Sequence, residues 1–306
     1  MLDLIAYCAV RLVVAVLQTL PVEMGDWLCR GLARLAAGPL KVRKRVIEEN
    51  LERIFPGSDD ASRHELAYRM WHHLFLMVCE IAWAQRRLHR SNWSQHVTFR
   101  GNRTMLKHML SDRPVVVVTG HFGNFEIGGY TSGLMGFSTL TIARKLDNAY
   151  LHRWVEAFRG AKGAEMVDKQ GCAPTVERRL QEGGMLSLLA DQHAGSKGCW
   201  VDFLGVPASC HKALSLFTLT SSAPMLVAGT RRTDKPMQFE FFCTGVADPQ
   251  DDPEGICRSV NTLTAWYNQR LAEVIEEGVE QYWWLHRRWR TPPPRIAKRL
   301  AKRLAA

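Results

Sequence analysis

Residues 115–129 read VVVVTGHFGNFEIGG, and this stretch decides the fold. A four-valine run stops at Thr119-Gly120, and His121 follows at once. Gly120 and Gly123 permit an unusual backbone turn, and Asn124 is a candidate N-cap for a helix starting near Phe125. The stretch is therefore a strand, a loop and a helix in immediate succession. The same grammar continues outward. Short apolar runs bounded by Gly, Pro or Asp predict strands at Val115–Val118, Thr139–Ala143, Glu165–Val167, Met185–Ala190, Leu226–Thr230 and Phe239–Cys243. Helical patterns fall between them at Asn148–Arg159, Ala173–Glu182 and Ala213–Ser221, with a last long helix over Cys257–Glu277. Such alternation predicts the α/β class: a single domain with a central mixed β-sheet flanked by helices. No internal repeat, low-complexity segment or linker interrupts it.

Upstream the pattern is helical. VIEENLERIF runs to Pro56, Ser58 or Asp60 is a candidate N-cap, and ELAYRMWHHLFLMVCEIAWAQRRL follows, with His72-His73 expected to face solvent or a partner. The first segment, Leu4–Leu20, is apolar except for Arg11, Gln18 and Thr19. Its 17 residues would rise about 26 Å as a helix, close to the hydrocarbon thickness of a bilayer. Arg11 near its middle would cost roughly 2.5–3.5 kcal/mol in lipid unless it snorkels or pairs. No positive n-region precedes the run and no small-x-small site follows, so it does not read as a cleavable signal. The expected organisation is a membrane-associated helix over 1–24, an α/β domain over 25–291 that includes the N-terminal helical part, and a basic tail over 292–306.

The chain has 306 residues, with 40 Lys+Arg against 30 Asp+Glu and a formal charge of +10. With 46% hydrophobic and 23% charged residues, disorder, collagen and a disulfide miniprotein are excluded. The 8 cysteines form no C-x-x-C pair, which argues against a zinc ribbon or thioredoxin-type motif and fits reduced thiols in the cytoplasm. Cations follow the first helix (Arg30, Arg34, Lys41, Arg43, Lys44, Arg45 and Arg53, against Glu48, Glu49 and Glu52), which by the positive-inside rule predicts a cytoplasmic body. They recur from Arg287 to Arg303 without an acid, where Ile296, Leu300 and Arg303 fall near one stripe of a tail that either lies on anionic lipid or is simply solvated.

Ligands of open α/β sheets bind beyond the carboxyl ends of the strands. His121 stands there, and Glu126 in the first helical turn is expected to reach back to it. A carboxylate accepting from one ring nitrogen fixes the tautomer and raises basicity at the other, as a general base for a hydroxyl nucleophile requires. The hydroxyl would belong to the substrate, because no G-x-S-x-G elbow is present and no cysteine adjoins the pair. The alternative is a capping Asn124 beside a structurally satisfied histidine. Asp191-Gln192 is a second polar strand end. No metal set is expected, since His-x4-Glu is not the spacing that puts two ligands on one helix face.

GHFGNFEIGG resembles the HX4E motif of the lysophospholipid-acyltransferase-like superfamily, in the branch of the lipid A biosynthesis late acyltransferases. The resemblance extends through Asn50-Leu51…Phe55-Pro56, Arg144-Lys145-Leu146-Asp147-Asn148, Ala190-Asp191-Gln192…Lys197-Gly198…Phe203-Leu204-Gly205 and Gln281-Tyr282-Trp283-Trp284-Leu285-His286-Arg287-Arg288. It implies acyl transfer from acyl carrier protein, or less often a coenzyme A thioester, to a hydroxyl of a membrane lipid. His121 would be the base, with Glu126 holding and polarising it. Asn124, Arg144, Asp191, Gln192 and Arg287 are the implied substrate-binding set, with Arg144 a candidate for acceptor phosphate or oxyanion contact, or else an ion pair with Asp147 or Asp191. Trp284 and Arg287 are expected to pack in a C-terminal segment whose arginines face the site. His193 and Cys210 depart from the family pattern and bear on the choice of acceptor. No cofactor is implied. The partners are an acidic acyl carrier protein or acyl-CoA, a phosphorylated lipid and the cytoplasmic face of the inner membrane. Rival readings are the same chemistry on a specialised lipid outside lipid A, such as an ornithine-type lipid, and a non-catalytic basic module for membrane or nucleic acid. With cations at the two ends and no RNP-like strand, nucleic acid is not expected as a partner.

Overall fold

Four helices come first: α1 (Leu2–Thr19), α2 (Val22–Ala37), α3 (Lys44–Ile54) and α4 (Asp60–Arg87). The alternating part follows as β1 (Val97–Arg100), α5 (Asn102–Met109), β2 (Val115–Thr119), α6 (Phe125–Leu134), β3 (Thr139–Ala143), α7 (Ala149–Gly160), β4 (Ala164–Asp168), α8 (Ala173–Gln181) and β5 (Met185–Leu189). A two-stranded hairpin, β6 (Cys199–Phe203) and β7 (Val206–Cys210), precedes α9 (Ala213–Ser221), β8 (Met225–Arg232), β9 (Phe239–Ala247) and α10 (Val260–Glu276). This computed structural model describes residues 1–160 and 162–298. Of the tail, Arg299, Leu300, Lys302 and Arg303 lie outside the described residues.

The strands form a seven-stranded mixed sheet in the order β1-β9-β8-β2-β5-β3-β4. Every pairing is parallel except β8 with β9, which is antiparallel. From β2 the chain crosses to β3 and β4, returns to β5 between β2 and β3, and then passes to β8 on the other side of β2. The carboxyl ends of β2 and β5 therefore border the place where the winding changes direction, where α/β proteins bind ligands.

All six predicted strands are present. β1 and the hairpin were not expected. The hairpin closes through Leu204 and Gly205, both at positive φ, with Asp202 Oδ1 accepting from Gly205 N at 2.9 Å. At the start of α4, Asp59 rather than Ser58 or Asp60 is the cap, accepting from Ser62 N at 2.7 Å. The last helix begins at Val260, after a 3₁₀ turn at Ile256–Arg258.

α4 runs beneath the site and carries a buried polar network. Glu80, fully buried, accepts from Arg232 Nε at 2.6 Å and Nη2 at 2.7 Å, from Asn124 Nδ2 at 2.9 Å and from Met237 N at 3.1 Å. The expectation that His73 faces solvent is corrected here. His73 is 2% exposed; its Nε2 donates to the Gly123 carbonyl at 3.1 Å and its Nδ1 accepts from Arg232 Nη1 at 2.8 Å. Burial first, and Arg232 second, push its pKa well below the usual histidine value, which keeps it neutral. His72 meets Asp26 of α2 at 2.7 Å. Helical periodicity could not show this, because α4 is packed on more than one side.

Glu80→Gln keeps the side chain's shape but leaves the Arg232 cation buried without a carboxylate. It is expected to lower the unfolding free energy by about 3–5 kcal/mol, read from chemical denaturation of the full chain.

Candidate active site

Thr119 of β2 pairs in parallel with Leu189 of β5. Two residues beyond each lie His121 and Asp191, so the register sets them side by side. His121 Nδ1 donates to Asp191 Oδ1 at 2.8 Å, and the Asp191 side chain has no exposed surface. This corrects the expected His121–Glu126 hydrogen bond. Glu126 instead forms a two-pronged ion pair with Arg159 of α7, with Arg159 Nε donating to Oε2 at 3.0 Å and Nη2 to Oε1. The cause is the loop. Gly123 has φ +56, and a Cβ there would collide with the Thr230 carbonyl, so only glycine fits. That turn delivers Asn124 as the cap of α6 and sends the next residues toward α7.

Burial opposes a charge on His121, yet Asp191, through its charge and hydrogen bond, and Glu126, through charge alone, raise its pKa above 6.5. Burial likewise opposes the charge on Asp191, and the histidine overcomes it, holding the carboxyl down at about 2. The pair thus fixes the imidazole as the tautomer with Nδ1–H and a lone pair on Nε2.

That lone pair meets an amide. Gln192 Nε2 lies 3.2 Å from His121 Nε2 and 3.0 Å from His286 Nε2. The rings of Phe125, Trp283 and His286 sit 5.2, 4.9 and 5.2 Å from that of His121. The C-terminal block reaches the site because it pairs with the His121 loop. Trp283 N donates to the His121 carbonyl at 3.1 Å and Gly123 N to the Gln281 carbonyl at 2.9 Å. Asn50 of α3 clamps the block from outside, donating to the Trp284 carbonyl at 2.6 Å and the His286 carbonyl at 2.7 Å.

The remaining expected residues divide. Asn124 is fully buried; its Oδ1 caps Ile127 N at 3.2 Å and its amide serves Glu80, so it shapes the loop rather than meeting substrate. Arg144 is exposed in an ion pair with Asp147 at 3.2 Å, the ion-pair alternative weighed for it. Trp284 packs in the core as expected, but Arg287 is exposed. The inward arginine is Arg288, 1% exposed, which donates to the Ser209 carbonyl at 2.6 Å, the Gln192 carbonyl at 3.3 Å and Cys210 Sγ at 2.8 Å. Cys210 is thus a buried partner of Arg288, and His193 rests 6.2 Å from the Trp200 ring. His286, Trp283 and Arg159 were not singled out as site residues. Only the block 281–288 pointed toward the first two, and nothing in the sequence pointed to Arg159.

Parallel strands are normally covered on both faces. Here Val117, Thr119, Ser187 and Leu189 are only half-buried. They line a mainly apolar groove. Phe125, Glu126 and Arg159 stand at its His121 end, and Met105, Met109 and Phe137 lie toward the amino ends of the strands. A strand of five residues spans roughly 16 Å, so the groove suits an extended hydrocarbon tail rather than a compact ring.

The sequence model described as bacterial lipid A biosynthesis acyltransferase matches residues 2–291. This chain belongs to the lipid A biosynthesis acyltransferase family. It is 24% identical over 279 residues to the lipid A biosynthesis palmitoleoyltransferase of Escherichia coli K12, covering 90% of this chain and 87% of that protein. It is 24% identical over 278 residues to the lipid A biosynthesis lauroyltransferase of the same organism, covering 88% and 86%. Among solved structures, the 1-acyl-sn-glycerophosphate acyltransferase of Thermotoga maritima matches with a TM-score of 0.40 and 12% identity, covering 86% of this chain and 99% of that one. The chain is accordingly an acyltransferase.

Because Asp191 carries most of the upward shift on His121, Asp191→Asn is expected to bring the His121 pKa below 6.5. Glu126→Gln, which removes only a distant charge, is expected to lower it less. Ring-proton NMR titration of the two variants measures both, and the reverse order would return the partner role to Glu126.

Proposed function

We propose that this acyltransferase moves a fatty acyl chain from the thioester of an acyl carrier protein to a hydroxyl of a lipid A precursor, at the cytoplasmic face of the inner membrane. The observation that carries the reading is an oriented imidazole at the mouth of an apolar groove. His121 has its Nδ1 committed to a buried carboxylate, and Phe125, 5.2 Å from it ring to ring, lines the groove. The chain would lie in the groove with its thioester carbonyl beside His121. Nε2 takes the proton of the acceptor hydroxyl as its oxygen attacks the carbonyl carbon. Collapse of the tetrahedral intermediate breaks the C–S bond, and the protonated Nε2 returns the proton to the departing sulfur. Asp191 stabilises the transient imidazolium, and Glu126, held by Arg159, adds negative potential without touching the ring.

The membrane placement rests on the first two helices. α1 is 18 residues with mean hydropathy 1.7 and no buried residue, so its apolar side chains await a nonpolar medium. Arg11 is accommodated at the protein side, with its guanidinium 5.8 Å from the Tyr7 ring and 5.6 Å from the Trp154 ring. α2 adds exposed Met24, Trp27, Leu28, Leu32 and Leu35 beside the cations Arg30 and Arg34. Apolar contact flanked by positive charge suits an anionic bilayer surface. Exposed Arg144 and Arg287 add cations for the acceptor's phosphate or for an acidic carrier protein.

The test is transfer of a labelled acyl chain from acyl carrier protein to a lipid A precursor by the purified full chain in mixed micelles. The unaltered protein should transfer, and His121→Ala, with the same thermal midpoint, should lose at least about 10²-fold in rate. Equal turnover by His121→Ala would sink the mechanism. Transfer only to a different acceptor, such as an ornithine-type lipid, would move the reaction to that substrate.

A further inference from the structure

Acyl transfer needs N–H donors aimed at the oxygen that becomes negative in the tetrahedral intermediate. Arg144, the cation that sequence reasoning offers, is exposed and paired with Asp147. A different group occupies the right place. On the acyl-transfer reading above, the geometry points to Gln192 as the side-chain donor to the oxyanion, with His286 the positioning residue that orients its amide.

Asp191 fixes the first proton in the chain. A carboxylate only accepts, so the 2.8 Å contact requires Nδ1–H on His121 and a lone pair on Nε2. The Gln192 amide nitrogen, 3.2 Å away, gives one hydrogen to that lone pair. Its second hydrogen goes to His286 Nε2 at 3.0 Å, which must therefore also carry a lone pair. Gln192 is also anchored through its main chain, whose carbonyl accepts from buried Arg288 at 3.3 Å. Its backbone follows directly on Asp191. An acceptor hydroxyl that approaches His121 Nε2 displaces only the first of the two amide hydrogens. The released N–H then stands beside the attacking oxygen. In the tetrahedral intermediate the oxyanion is bonded to the same carbon as that oxygen, within reach of the N–H. The second N–H stays on His286. No bond to Gln192 is made or broken: the hydroxyl proton goes to His121, the new C–O bond forms, and the C–S bond breaks.

His286 decides which end of the amide faces the reaction. Neutral His286 accepts, which turns the NH2 group toward His121. A protonated His286 would donate instead, draw the amide oxygen to itself and spoil the donor. The groups facing His286 are His121 from the β2–α6 loop, Asp191 after β5, Arg43 before α3 and the Trp283 ring stacked at 5.8 Å. Burial first, then His121, with a smaller push from Arg43, lowers its pKa despite Asp191, so it stays neutral where His121 titrates.

The test uses the full chain, with acyl carrier protein thioester and lipid acceptor in mixed micelles. Gln192→Glu keeps the size but replaces the donor with an acceptor. It should lower kcat by about 10²–10³-fold with little change in KM, at an unchanged thermal midpoint, and Gln192→Ala should behave likewise. For His286 the readout is the acid limb of the pH profile of kcat/KM. In the unaltered protein the limb should bend from one-proton to two-proton dependence as pH falls, first through the His121 pKa above 6.5 and then through the His286 pKa below 6.5. In His286→Asn, whose amide oxygen still accepts from Gln192 and does not titrate, the limb should stay one-proton throughout. Wild-type kcat in Gln192→Glu overturns the donor role, and an acid limb unaltered by His286→Asn overturns the positioning role. If the unaltered protein transfers no acyl chain while binding both substrates, the underlying acyl-transfer reading fails as well, which separates the two failures.

Discussion

The site is organised around one buried carboxylate. Asp191 is 1% exposed and lies at the carboxyl end of a central strand. An unpaired carboxylate there would be expensive to bury, so its position is tenable only with His121 against it. The pairing settles the tautomer, and the tautomer in turn settles which ring nitrogen carries the free lone pair. What Gln192 and His286 do follows from that single 2.8 Å contact.

The contact is secured by elements far apart in sequence. β2 and β5 are neighbours, which brings residues 121 and 191 together across 70 positions. Behind the loop, Glu80, Arg232 and His73 form a buried network that grips Gly123 and Asn124. From the other side, Asn50 and Arg43 hold the carbonyls of the 284–286 segment, placing His286 beside His121. A functional group needs to be held to within fractions of an ångström, and here two helices, three strands and the C-terminal segment share that work. Asn50, the His121 loop, Asp191-Gln192 and the 281–288 segment, scattered along the chain, are the pieces of this one clamp.

Much of the fold was legible because β2, β3, β5 and β8 are apolar runs closed by Gly, Pro or polar residues, and a central strand writes itself that way. β1 was not legible, because Val-Thr-Phe-Arg is four residues long and half polar. Nor was the β6–β7 hairpin, whose strands carry Asp202, Pro207 and Ser209 and turn through Leu204-Gly205. At the site, the strand-end position of His121 could be read directly. Its partner could not. Glu126 is near in sequence, but the turn at Gly123 directs it toward Arg159, whereas Asp191 is near only once the strand order is known. Arg287 and Arg288 pose the same difficulty in miniature, since one residue of register decides which arginine is buried in an irregular segment.

The central claim is that Asp191 holds His121 with its Nε2 lone pair directed to substrate. It is tested most directly by nitrogen-15 chemical shifts of the His121 ring in the full-length protein, at a pH where the ring is neutral. The account predicts a protonated Nδ1 and a bare Nε2. A proton on Nε2 would contradict it, since that nitrogen could then neither take the acceptor's proton nor accept from Gln192.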